Sequence, residues 1–319
     1  MKNKNNYLSI LIILVIILLI IDPKNNIESC LNGIKLWATA VLPSLLPFFF
    51  LSSLLLSLGF VQKLGKFFAP ITTRLFKADG ISGYIYAMSV ISGYPVGAKT
   101  TAELYENGII SRGQAHKIAT FTSTSGPLFI IGTVGIGMFG SAKLGYLILL
   151  CHIIGAVLNG LIYRNAFLDD YPSQIVAFSK QNSLEDNMYN SIKSVLVVGG
   201  YIALFYMLIS MLNNFNILYP FCKFLSLALR CDIPICNSIV NGLIEMTRGC
   251  LDLSKPMLTD KQTLVIATGL ISFGGMSIFV QALTFLGKFK ISLRFYFLSK
   301  VTQTIISVIL AVIIGAIFL

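Results

Sequence analysis

Charge is what this sequence has least of. Only 12% of its 319 residues are Asp, Glu, Lys or Arg, against about 25% in an ordinary soluble domain. So few ionised groups cannot solvate the surface of a water-soluble protein of this size, which excludes a soluble globular enzyme. Carboxylates are the scarcer sign, with 13 Asp and Glu against 24 Lys and Arg. The basic residues are thinly spread, so the net charge of +11 does not indicate nucleic-acid binding. Lys- and Arg-enriched cytoplasmic loops account for it more simply. The chain has two histidines, and its six cysteines lack CxxC spacing. No metal or redox motif follows, although Cys222 and Cys231 would allow a disulfide. A nucleophile–base pair, a Walker loop and a zinc motif are all missing, so neither catalysis nor a cofactor is expected.

Apolar residues are abundant, at 55%, which excludes a disordered chain. Residues 8–21 and 305–319 contain no charge at all. The fold class is therefore an all-α polytopic membrane protein, with spans of about 20 apolar residues. Lys2 and Lys4 precede the first run, which ends at Ile21-Asp22-Pro23 without a small-residue cleavage pattern. It reads as a retained signal anchor followed by a short external loop, together residues 1–33. An apolar helix over 34–60 follows. Residues 61–79 interleave Lys63, Lys66, Arg74 and Lys77 with Phe67, Phe68, Leu75 and Phe76, the pattern of an amphipathic helix on the membrane surface. Clean spans are expected at 144–163, 195–212 and 295–319, with a polar cytoplasmic linker over 164–193.

Residues 81–140 and 232–287 are neither clean spans nor soluble loops, being apolar but broken by Gly, Pro, Ser and Thr. They also resemble one another. The string SRGQAHKIATFTSTSGPLFI at 111–130 matches TDKQTLVIATGLISFGGMSI at 259–278, with Gln114 on Gln262, Ile118-Ala119-Thr120 on Ile266-Ala267-Thr268, and Gly126 on Gly274. An internal duplication is expected, with one repeat over 34–163 and the other over 194–319. The distribution of basic residues makes the second repeat inverted. Seven crossings then carry two re-entrant, broken-helix hairpins, with the N-terminus inside and the C-terminus outside. Many secondary transporters are built this way, with sites where broken helices meet near the midplane.

Four segments carry the candidate site. In SGYPVGAKTTAELYENG, the residues Ser92, Gly93, Tyr94, Pro95 and Gly97 cannot sustain a regular helix. Lys99, Thr100 and Glu103 follow on a helix start, with Lys99 and Glu103 on one face. They line a site or form a solvated ion pair at a hairpin tip. In TFTSTSGP, Thr122, Ser123, Ser125 and Gly126 precede Pro127, which suits the first position of a new helix aiming free N–H groups at a ligand. The alternative is that these small residues only permit close helix packing. The third segment holds Asn241, Glu245 and Arg248 in an apolar helix, where ionisable residues are costly and functional by default. A neutralising Glu245–Arg248 pair that only holds the fold is the competing reading. The fourth holds Ser272, Gly274, Gly275 and Ser277, a second broken helix. His116 and His152 read as isolated and structural.

The strings ISGYPVGAKTTAELYENG and TSTSGPLFIIGTVG resemble the sporulation integral membrane proteins of the YlbJ type, within the nucleoside recognition (Gate) superfamily. This resemblance covers essentially the whole chain after the anchor. It implies two Gate-like repeats in an endospore former, in the outer forespore membrane, associated with movement of dipicolinic acid. The expected partners are the lipid bilayer and a small anionic substrate, dipicolinate, with further copies of the chain or other sporulation membrane proteins. Lys99, Arg248 and two helix N-termini are what an anion site near the midplane would use. A nucleoside or cation transporter, and a non-transporting scaffold, are the competing functions. Convergence of Lys99, Glu103, Glu245 and Arg248 would favour transport over a scaffold.

Overall fold

The structure, a computed structural model, describes residues 2–58, 60–167, 183–255 and 258–319. Their regular structure is entirely helical, as the composition requires of a chain in hydrocarbon, where each backbone amide must be satisfied within its own segment. Among the described residues, four helices are long and apolar enough to span a bilayer, or up to six if each of two bent pairs counts as one. The apolar stretch Ile12–Ile21 is shorter than a span.

Helix α1 (Lys2–Ile21) leads directly into α2 (Pro23–Leu36). The Asp22 side chain accepts from the Asn25 amide, and Pro23 occupies the first helical position, two signals that together start a helix. Residues 23–33, expected within the external loop, are therefore helical. A π-helical turn (Trp37–Val41) joins α2 to α3 (Leu42–Ser57). The expected amphipathic helix is α4 (Phe60–Phe76), which exposes Phe67, Ile71 and Leu75.

The first broken hairpin is α5 (Ser82–Ser92) and α6 (Val96–Glu106). Then come α7 (Arg112–Ala119), an irregular break, a π-helical segment (Leu128–Met138) and α8 (Ala142–Ile162). Much of the expected linker, residues 168–182, lies outside the described residues. It ends earlier than expected, because a capping box at Ser183 and Asp186 starts α9 (Leu184–Asn214). The elements then recur in the same order: short α10 (Tyr219–Leu229), hairpin α11 (Ile233–Ile244) and α12 (Met246–Leu253), broken α13 (Asp260–Phe273) and α14 (Gly275–Leu286), and α15 (Leu293–Phe318).

Contacts across the chain define two ends. At one, Arg112 donates to the Lys290 carbonyl, Lys117 to that of Lys77, Lys77 to the Asn165 side chain and Arg164 to the Arg74 carbonyl. A Lys288–Glu106 ion pair at 2.8 Å closes the same end. At the other, Lys143 donates to the Phe318 carbonyl, and Gly315 lies against Leu264 near the start of α13. Hairpin α5–α6 ends at the first, basic end, where Glu106 meets Lys288. Each hairpin packs on the other half's post-break helix: α6 on α14, and α12 on the π-helical segment.

Candidate functional site

The helix breaks lie against one another in pairs. Gly93 has φ +78°, and a Cβ there would stand 2.5 Å from the Gly126 amide nitrogen, so the two breaks of the first half meet backbone to backbone. Gly97 faces the Thr122 carbonyl just as closely. In the second half Gly275, at φ +74°, lies against the carbonyls of Gly242 and Ile244, 3.0 and 3.1 Å from where its Cβ would be. Only a residue without a side chain permits either approach. Gly274 is left-handed and ends α13.

At the α11–α12 break, Glu245 has extended backbone, and its carboxylate accepts from the amides of Thr247 (3.1 Å) and Arg248 (2.7 Å). Opening a helix at membrane depth orphans its first N–H groups, and here a buried carboxylate satisfies two of them. Glu245 therefore does not pair with the Arg248 side chain. Arg248 Nε instead donates to Asp252, one turn further on, at 2.7 Å. Asn241 joins the same carboxylate at 2.9 Å.

A buried polar belt connects the breaks to the long spans. Lys300 of α15 is 2% exposed. Its Nζ donates to the Tyr94 hydroxyl (2.8 Å), the Gln303 side-chain oxygen (3.1 Å) and the Ser123 carbonyl (3.3 Å). His152 of α8 accepts from the Ser125 amide at Nε2 and meets the Ser272 hydroxyl at Nδ1, both at 2.9 Å. It thereby joins the break of one half to the broken helix of the other. Ser123 meets the Tyr296 hydroxyl at 3.0 Å. One expectation is corrected here: His152 is not isolated. The span expected at 295–319 stands as α15, with Lys300 buried inside it. Lys300 within that span was the available signal, since an ionisable residue inside a membrane segment is a functional candidate by default.

Between the breaks lies a cavity of about 40 Å³, room for little more than water. The first half lines it with Gly93, Tyr94, Ser125 and Gly126, and the second with Glu245 and Gln281. Val41 and Leu45 face it from one half, Val198 and Ile202 from the other. Ser277 accepts from Gln281 at 3.2 Å just behind it. Other expected residues lie apart. Lys99 donates to Ser194 of α9 at 3.1 Å. Ser92 and Thr100 are buried in their own helices, and the Thr122 hydroxyl donates back to the Ile118 carbonyl. Arg248 and Asn241 line a separate, larger cavity. Lys99, Glu103, Glu245 and Arg248 thus do not share one cavity.

A many-helix membrane protein whose broken helices, drawn from two similarly ordered halves, abut at a small internal cavity is of transporter-like construction. Residues 38–142 match the family model described as Gate, nucleoside recognition. The chain is 31% identical over 311 residues to the sporulation integral membrane protein YlbJ of Bacillus subtilis (strain 168), covering 88% of this chain and 75% of that one. It belongs to that family of multi-pass integral membrane proteins. No solved structure matches it.

Proposed function

We propose that the protein carries a small anionic metabolite, dipicolinic acid first among the candidates, across the outer forespore membrane of an endospore former. The observation that carries this reading is the meeting of helix breaks from both halves around one small, largely apolar cavity into which Ser125, Glu245 and Gln281 project, where transporters built on broken helices bind their cargo. In this reading the halves form an inverted repeat. Their hairpins dip in from opposite faces, and relative movement of the halves opens the closed cavity to each side in turn. The basic end, with Arg74, Lys77, Arg112, Lys117, Arg164, Lys288 and Lys290, sits in the cytoplasm, following the distribution rule for cytoplasmic loops.

Gly93, Tyr94, Ser125, Gly126, Glu245 and Gln281 form the constriction, and Lys300 and His152 hold its walls together. Lys99 then belongs to the frame. The description of the matched family model favours a nucleoside as the second candidate cargo. Uptake of labelled dipicolinate and labelled uridine into proteoliposomes containing the purified protein separates the two. Saturable dipicolinate uptake is expected. Saturable uridine uptake would replace the cargo, and uptake of neither would favour a scaffold.

A further inference from the structure

Near the end opposite the basic loops, a cavity of about 670 Å³ is lined by Asn213, Asn216, Asn237, Asn241, Arg248 and Asp252. Its size is that of a site for a small organic molecule, whereas the cavity between the breaks holds little more than water and lines itself with the carboxylate of Glu245. Arg248 is fixed on two sides. Its Nε is held by Asp252 at 2.7 Å, and its guanidinium lies 4.2 Å over the ring of Tyr206. Asp252 is fully engaged, since Oδ2 also accepts from Asn241 and Oδ1 accepts from Lys255 at 2.9 Å. Two cations, Arg248 and Lys255, therefore share the Asp252 carboxylate, while Glu245 binds only the backbone amide of Arg248 and leaves the guanidinium to Asp252. The two terminal nitrogens of Arg248 have no partner among the described residues, while its side chain remains 19% exposed. Nothing in the fold uses the free edge of this pre-aimed planar fork. Its geometry matches a carboxylate accepted through two parallel hydrogen bonds.

We infer that this cavity is the docking site of the transported anion, a small molecule that presents a carboxylate to the free edge of Arg248. The side-chain amides of Asn216 and Asn237 face the rest of the molecule. Tyr206 and Asp252 are positioning residues that hold the fork still. The inference rests on the reading of the protein as an anion carrier, and it moves recognition of the charge from the midplane to this vestibule.

Phenylglyoxal, which reacts with accessible unpaired guanidinium groups, tests it on the purified full chain in detergent, with peptide mass spectrometry as the readout. Arg248 should be modified in buffer and protected by dipicolinate or benzoate, but not by the uncharged pyridine-2,6-dimethanol. Arg248→Lys keeps the charge and loses the fork. It should raise the Kd of the protecting carboxylate about tenfold, the equivalent of one charge-assisted hydrogen bond. An unreactive Arg248, equal modification with and without both carboxylates, or an unchanged Kd in Arg248→Lys would overturn the site. The labelling is read on the unaltered protein, so it decides even if the variant fails to fold. Dipicolinate uptake by liposomes with Arg248 unprotected would sink this site and leave transport standing. Protection without uptake would do the reverse.

Discussion

The amine of Lys300 donates to the hydroxyl of Tyr94 at 2.8 Å, tying the first helix break to the last long helix of the chain. Tyr94 is the residue between Gly93 and Pro95, so this one bond holds the tip of the first hairpin against α15. Tyr94→Phe removes the acceptor and leaves a buried donor short of a partner, at a cost of roughly 1–3 kcal/mol. Adding Lys300→Met removes the stranded amine, so the double variant should be more stable than the two single losses predict together. Unfolding of the four proteins in one detergent measures the coupling, and strict additivity would rule it out.

His152 satisfies the amide of Ser125 inside the membrane region. His152→Ala orphans that amide and empties the space of the ring. A loss of about 2–5 kcal/mol is expected from the two effects together. Ser272→Ala removes only one hydroxyl contact, and should cost about 0.5–1.5 kcal/mol. Thermal unfolding that ranks Ser272→Ala at or above His152→Ala would contradict the bridge.

Positive φ alone does not decide the glycines. Gly108 and Gly93 both have it, at +69° and +78°, but a Cβ at Gly108 meets nothing within 4 Å. Gly108→Ala should cost only the left-handed conformation, about 1–2 kcal/mol. Gly93→Ala must also push Gly126 away, and should lose more stability while still inserting. Detergent melting temperatures of the two variants, at matched membrane abundance, give the comparison.

The inverted arrangement can be tested with two exposed lysines at equivalent places, Lys66 on α4 and Lys223 on α10. In a background lacking the native cysteines, Lys66→Cys and Lys290→Cys should react with an impermeant maleimide from one side of the membrane. Lys223→Cys should react from the other. Labelling of Lys66→Cys and Lys223→Cys from the same side would refute the inversion.

The thiols of Cys231 and Cys236 lie 2.9 Å apart, while Cys222 turns to the Asn237 side chain. The pairing considered from the sequence, Cys222 with Cys231, is therefore not the one the fold favours. Copper–phenanthroline oxidation of the purified protein should yield a linked Cys231–Cys236 peptide, unaffected by Cys222→Ser and abolished by Cys231→Ser.

The class of fold and the places where helices break were legible because they depend on local chemistry. Pro95, Gly93, Gly126 and Gly274 interrupt helices wherever they are put. The pairing of side chains was not legible, because it depends on which elements face one another. Spacing three apart suggested that Glu245 neutralises Arg248. The fold breaks between them, so the carboxylate caps the new helix, and Asp252, one turn further on, takes the guanidinium. Lys300 and His152 were readable as ionisable groups within spans, but only the packing of α15 and α8 against the breaks gives them partners. The helix at 23–36 was missed because its polar composition was read as loop, although Pro23 after Asp22 was an available signal.

The exchange of hairpins between halves has a consequence for biogenesis. Helix α6 packs on α14, which lies about 170 residues later in the chain. While the ribosome is still making the linker, the first hairpin has no partner for that face, and its broken backbone has no finished protein wall around it. Unpaired backbone groups are tolerated at membrane depth only against protein or water. The first hairpin must therefore wait at the membrane surface, or in the shelter of the insertion machinery, until the second half is synthesised. Maturation of this protein is thus a late, whole-chain event, and a chain truncated before α14 should be found inserted by its long helices yet readily degraded.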